Sequence, residues 1–281
     1  MTGPVVVGFD GSPESTTATE WAAREAQRRD CPLDLLQAWP WPHRDVVGSE
    51  ETYRHALDQL ELQAAKLRAA AGDGPVTSAI VPTDPAEALE AAGKSASLLV
   101  LGSRGLGPVR GFLVGSVSQE VLRRASCPVV LVRAEPAESA GPVLVGLDLK
   151  HSTDDVLAFA FDAARRRRAP LRVVHVWSPP VGSQYMALEA MGGVAGALSS
   201  VERARFAELV DPWRERHPEV TVTSDLVRGS ASVALVDAAE GARLLVVGRR
   251  IRRTLVGAHL GPVAHAAVHH VRCPVALVPH V

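Results

Sequence analysis

Two short clusters of glycine and hydroxyl residues are the part of this sequence best suited to chemistry, and the chemistry is phosphate binding. Gly102-Ser103-Arg104-Gly105 follows the apolar run Leu98–Leu101, and after nine intervening residues Gly115-Ser116-Val117-Ser118 opens a helical pattern reaching Arg124. A polyphosphate requires close backbone approach, several N–H donors and the positive end of a helix. Gly102 and Gly105 tolerate positive φ and carry no side chain to obstruct that approach. Gly115 clears the helix start, where the first N–H groups have no intrahelical acceptor. Ser116 and Ser118 add hydroxyls at the same end, and Arg104 adds charge. The same residues also suit a loose surface loop with a serine cap, since a helix start needs one. No GxxxxGK[ST] occurs, so the loop is not of the Walker type. Gly105-Leu106-Gly107 with Gly111 matches a dinucleotide fingerprint only faintly, because no helix opens there.

Such a loop must be held by strands below and helices beside it. The runs Val5–Phe9, Leu33–Ala38, Val76–Val81, Leu98–Leu101 and Val129–Val132 read as buried strands. Helix starts stand between them. Ser12-Pro13 precedes the first helix; Asp84-Pro85-Ala86-Glu87 offers an N-cap, a first-turn proline and a reciprocal glutamate. This alternation predicts a parallel sheet with helices on both faces. Ligands bind such sheets beyond the carboxyl ends of the strands, where strand order reverses.

The pattern then occurs again. Val5-Val6-Val7-Gly8-Phe9-Asp10 matches Val143-Leu144-Val145-Gly146-Leu147-Asp148, and Leu35–Trp39 matches Val173–Trp177. Leu98–Gly102 matches Leu244–Gly248, and Cys127–Val132 matches Cys273–Val278. Four matches in one order establish a duplication. The later pair is spaced more widely than the earlier pair, so the second copy holds extra residues between its second and fourth strands. The small-residue stretch Met191–Gly196 is their natural home. The predicted architecture is α/β: two tandem Rossmann-like domains, each a five-stranded parallel sheet with helices on both faces, over residues 1–137 and 141–281. A short linker near Glu135–Gly141 joins them.

With Val-Gly-Phe-Asp-Gly-Ser at the first strand end and Gly-x2-Gly-x9-Gly-Ser after the fourth, the chain resembles the universal stress protein family over nearly its whole length. The resemblance implies the five-stranded α/β fold and ATP as ligand, with or without magnesium. It assigns Asp10 to the nucleoside end, Gly8 to admitting the ligand beside the first strand, and the Ala38 backbone to the adenine edge. Gly102, Gly105, Gly115 and Ser116 would hold the phosphates, with Ser103, Arg104, Val117 and Ser118 completing the loop and helix start. Read without the resemblance, Asp10 serves equally well as an N-cap or turn aspartate. The resemblance also implies that paired domains meet through their last strands, Val129–Val132 against Val275–Val278.

The second copy departs from the pattern. Gly146, Asp148, Val176, Gly248 and Gly261 keep their places, but Ile251 replaces the second loop glycine and Pro262 replaces the serine. Isoleucine disfavours positive φ, and proline deletes an N–H together with the hydroxyl. Pro262 still suits the first position of a helix, so the fold can persist while the site decays. Arg249, Arg250, Arg252 and Arg253 could compensate for the lost donors, but read more simply as a solvated cluster. This copy is expected to bind ATP weakly or not at all.

Composition excludes other classes. The 281 residues carry 30 basic and 31 acidic side chains, a formal charge of −1, which leaves no footprint for nucleic acid or an acidic membrane. No apolar run approaches the ~18–20 residues of a spanning helix, and Met1–Val7 has no signal-peptide layout, so a cytoplasmic protein is expected. Cys31, Cys127 and Cys273 each precede proline without a CxxC pair, as reduced core thiols do. His265 and His269 share a helix face but lack a third ligand at metal spacing, so no metal site is expected. Arg165–Arg168 reads as a solvated helix end, and Trp39 and Trp177 as packing at equivalent strand ends.

Three functions fit these residues. A complete loop without a catalytic set favours a non-enzymatic ATP-binding stress protein, whose nucleotide governs a regulatory partner or homodimerisation. A slow ATP hydrolase or nucleotidyl-transfer enzyme of related fold would need a base near the γ-phosphate, and Glu120 is the nearest carboxylate. A scaffold that has lost nucleotide binding in both copies is the third.

Overall fold

Leucine- and valine-rich runs bounded by glycine and proline form the strands, and alternation of their side chains between two helical layers forms the core. The computed structural model describes residues 3–40, 49–71, 74–105, 112–113, 115–133, 140–178, 194–251 and 260–280. The first repeat runs β1 (Val5–Gly8), α1 (Pro13–Arg29), β2 (Leu33–Ala38), α2 (Ser49–Ala71), β3 (Val76–Val81), α3 (Pro85–Gly93), β4 (Leu98–Gly105), β5 (Phe112–Leu113), α4 (Ser116–Arg124) and β6 (Val129–Arg133). The second runs β7 (Val143–Leu147), α5 (Asp154–Arg167), β8 (Leu171–Trp177), α6 (Val194–Arg216), β9 (Val222–Arg228), α7 (Ala231–Ala238), β10 (Leu244–Arg250), α8 (Pro262–His270) and β11 (Val275–His280).

Strand order is β3-β2-β1-β4-β6 in the first repeat and β9-β8-β7-β10-β11 in the second, parallel along both paths. Antiparallel pairing of β6 with β11, Val130 opposite Ala276, joins them into one sheet. Both strands are apolar on both faces and fully buried over Val129–Val132 and Val275–Val278. Each would otherwise be an open apolar edge. Val5, Val7, Val100 and Val132 pack with α1 and α2, whereas Val6, Leu99, Leu101 and Leu131 pack with α3 and α4. The second repeat divides its side chains in the same way, α5 and α6 on one face and α7 and α8 on the other.

Several local expectations change. β4 continues through Gly105, where a loop was predicted from Gly102, because β5 pairs antiparallel with it, Arg104 opposite Leu113. Asp84 caps α3 by accepting from the Ala86 N–H at 2.8 Å, but the Glu87 carboxylate takes the Thr83 hydroxyl at 3.0 Å. The longer connection of the second repeat lies between β8 and α6; Met191–Gly193 fall outside the described residues. Arg165–Arg168 is not uniformly solvated. Arg167 is buried and donates to Glu25 Oε2 at 2.5 Å, because α5 packs across α1 of the first repeat.

Cys127 and Cys273 are buried just ahead of β6 and β11, and burial lifts both thiols to about 11. All three cysteines are free. The thiolate is the reactive form. At pH 8 a thiol reagent is therefore expected to label Cys31 alone in the native protein and all three after denaturation, as read by mass spectrometry. Rapid native labelling of Cys127 would contradict this packing.

Candidate functional site

A strand–helix–strand unit in a parallel sheet puts each helix N-terminus at the carboxyl ends of the strands. In the first repeat, strand order reverses between β1 and β4, with Val7 opposite Val100. Asp10, just past β1, is exposed, and its Oδ1 accepts from the Ser12 N–H at 3.0 Å and from Ser12 Oγ at 2.5 Å. Ser12 Oγ in turn caps α1 by accepting from the Ser15 N–H at 3.2 Å. Gly11, at φ 78°, makes this tight turn possible. Asp10 is thus a turn aspartate at the mouth of the crevice. Gly8 has a packing role: a Cβ there would stand 3.0 Å from Leu101 and 3.4 Å from Leu89. Ala38 ends β2 opposite Val81, and the Trp39 ring beside it meets Tyr53 edge-on at 5.7 Å.

Gly102 departs from its expected role. Its φ is not positive, and a Cβ would fall 2.6 Å from the Glu14 carbonyl oxygen and 2.9 Å from the Ser15 nitrogen. The missing side chain lets the first turn of α1 settle against β4. Ser103 also departs: its hydroxyl is buried and accepts from Arg133 Nη1 at 2.6 Å, on the face opposite α1. Arg104 and Gly105 lie in β4, and the Arg104 side chain falls outside the described structure.

Gly115 is the N-cap of α4 at φ −60° and ψ 159°, a conformation open to any residue. No side chain caps the helix, and among the described residues nothing lies within 4 Å of where a Cβ would stand. Gly115 and Ser116 are exposed, Val117 is half-buried and Ser118 is buried. The start of α4 therefore opens outward at the carboxyl end of the sheet. Glu120 pairs with Arg124 at 2.9 Å, one turn toward the far end of the helix.

In the second repeat the helix start keeps its backbone and, among the described residues, the open space beside it; the changes lie around it. Gly261 caps α8 at φ −60° and ψ 160°, matching Gly115, with Pro262 at the first position. Gly248 faces His280, whose ring atoms would stand 2.8 Å from a Cβ. α5 starts later than α1, after Thr153, whose buried Oγ1 has no partner among the described residues. Asp148 accepts from the Lys150 N–H at 3.1 Å and lies 3.8 Å from His151 Nε2. Gly146 is packed like Gly8, a Cβ there standing 2.6 Å from Leu235, and half-buried Val176 joins the same layer. Ile251 is exposed and its N–H donates to the His280 carbonyl at 2.8 Å. His265 and His269 stand 4.4 Å apart, ring to ring, and no three metal-ligating side chains gather among the described residues.

Two buried arginines escaped the sequence reading. Arg133 donates to Val271 (3.1 Å) and Val268 (2.8 Å) carbonyls at the end of α8. Arg249, expected in a solvated cluster, is buried and donates to the Arg123 carbonyl at 3.2 Å and to the Ala125 carbonyl. Arg252 and Arg253 of that cluster lie outside the described residues. A cue was present for Arg133, a cation ending an all-apolar strand.

Fold and site together define a tandem doubly wound α/β protein with an exposed, glycine-capped helix start at the carboxyl end of the strands in each repeat. The profile of the Universal stress protein family matches residues 1–133 and 140–279, and the chain belongs to that family. It is 35% identical over 287 residues to a universal stress protein of Mycobacterium tuberculosis strain H37Rv, covering 96% of this chain and 94% of the relative. A universal stress protein of Mycolicibacterium smegmatis is 34% identical over 292 residues, covering 98% and 96%. The crystal structure of a universal stress protein from Archaeoglobus fulgidus shares the fold, with a TM-score of 0.71 at 20% identity and 98% of each chain covered. No helix among the described residues is long and apolar enough to cross a membrane.

Proposed function

We propose that the first repeat binds ATP, accompanied by magnesium where the phosphates recruit it, and that the protein is a non-enzymatic, nucleotide-responsive stress protein. The observation that carries this reading is Gly115. Among the described residues no packing, no positive φ and no side-chain cap calls for glycine there, while a phosphate resting on the α4 start would; Gly261 shares that geometry, but Pro262 after it offers no N–H. Asp10 at the neighbouring strand end, and the Ala38 backbone beyond it, supply a nucleoside end on the same side of the sheet. Glu120, engaged with Arg124, is poorly placed to act as a base, which favours binding over hydrolysis. Pro262, which offers no N–H at the start of α8, supports a second repeat that binds nucleotide weakly or not at all. Bound nucleotide would then govern a regulatory partner or self-association.

Gly115→Asp separates fold from function. Aspartate is a better N-cap than glycine by a few tenths of a kcal/mol, so thermal stability is expected to hold or rise slightly. Its carboxylate would oppose the phosphates, lowering ATP affinity at least about tenfold while sparing adenosine. Calorimetric titration of both ligands reads this out. A wild-type protein that takes up no ATP, or a variant that binds it equally well, would overturn the proposal. Phosphate released in excess of protein would move the reading to the hydrolase.

A further inference from the structure

Helix α4 is only nine residues long, so whatever grips one end sets the direction of the other. Its last carbonyls have no intrahelical donor, and a cation there also suits the helix dipole. That cation comes from the other repeat. Arg249 directly follows Gly248 in β10 and reaches past β11 and β6 to the Arg123 and Ala125 carbonyls. It is only 5% exposed, and its Nε is buried without a partner among the described residues. Holding a charge there is costly unless the contact is needed. The arrangement is reciprocal. Arg133, anchored on Ser103 of the phosphate strand, grips the end of α8 in the second repeat.

We propose that Arg249 of the degenerate second repeat is a positioning residue for the nucleotide site of the first, fixing α4 so that Gly115–Ser118 is aimed at the phosphates. The second repeat thus completes the first site without binding nucleotide itself. This inference rests on the ATP reading above.

Arg249→Met removes the donors while keeping side-chain length; Arg249→Lys keeps the cation with a single donor group. In the full-length chain, R249M is expected to weaken ATP binding about three- to tenfold, the range of transmitted coupling. Adenosine, which does not touch the helix start, should keep its affinity to within about twofold, and R249K should recover part of the ATP loss. A merely structural role would weaken both ligands alike. Equal losses for ATP and adenosine, or a folded R249M with wild-type ATP affinity, would overturn the inference. Should R249M not fold, R249K carries the same two-ligand comparison. Failure of the wild type to bind ATP sinks the parent reading instead, so the two failures are distinct.

Discussion

Gly102→Val is expected to destabilise the protein by about 3 kcal/mol, the upper part of the overpacking range, and to abolish ATP binding in the same step. The new Cβ would stand 2.6 Å from the Glu14 carbonyl oxygen and 2.7 Å from its carbonyl carbon. These are backbone atoms of the first turn of α1, which cannot rotate away as a side chain can. Relief requires α1 to move off β4, and with it the turn in which Ser12 holds Asp10. Gly248→Val is the internal control. Its Cβ meets the His280 ring, a side chain that can turn where the Glu14 backbone cannot, and a Val156 methyl only at 3.3 Å, so a cost of about 1 kcal/mol is expected. Urea unfolding of both variants, with calorimetry for ATP, reads the contrast. A G102V protein within about 1 kcal/mol of wild type, or as sensitive as G248V, would show that the α1 start is not wedged against β4.

That glycine also marks how far the sequence could be read. Strand positions were legible because buried parallel strands are unbroken apolar runs, and the duplication displays each run twice. Caps at Ser12 and Asp84 were legible because local chemistry fixes them. What glycine does at Gly8, Gly102 and Gly146 was not, since the atoms opposing them come from Leu101, Glu14 and Leu235, distant along the chain or on another element. The sequence suggests positive φ at Gly102 and room for a ligand at Gly8, and close packing occupies both. Likewise a run of arginines carries no sign of which member is buried. Arg167 and Arg249 enter the interior only because β6 pairs with β11 and brings α5 across α1 and β10 toward α4. Long-range pairing set their environment, and no local pattern encodes it.

The same pairing produces the second large effect, at Glu25. Its carboxylate is 1% exposed and lies 2.7 Å from Arg29 Nε of its own helix and 2.5 Å from Arg167 Nη2 of the other repeat. The surrounding rings pair equivalent positions of the two repeats crosswise, Arg29 over Phe159 at 5.3 Å and Arg167 over Trp21 at 5.6 Å. One anion therefore serves two buried cations from two repeats. Glu25→Gln leaves both guanidiniums without it, and breaking a buried pair by removing one partner costs about 3–5 kcal/mol. The pH dependence follows. Burial alone would raise the Glu25 carboxyl, but Arg167 and Arg29 overcome it and hold it below the ordinary range. A folded-state value below the unfolded one means that the contribution is complete above about pH 4.3 and is lost as pH falls through the lowered value. Asp162, also lowered by its arginine partners against the effect of burial, adds a smaller loss in the same direction that the variant retains. Chemical unfolding between pH 7 and pH 3 should show wild type declining more steeply than E25Q below about pH 4, the two curves converging in acid. Parallel curves, or an E25Q protein as stable as wild type at pH 7, would mean that the Glu25 carboxylate adds nothing to the hold between the repeats.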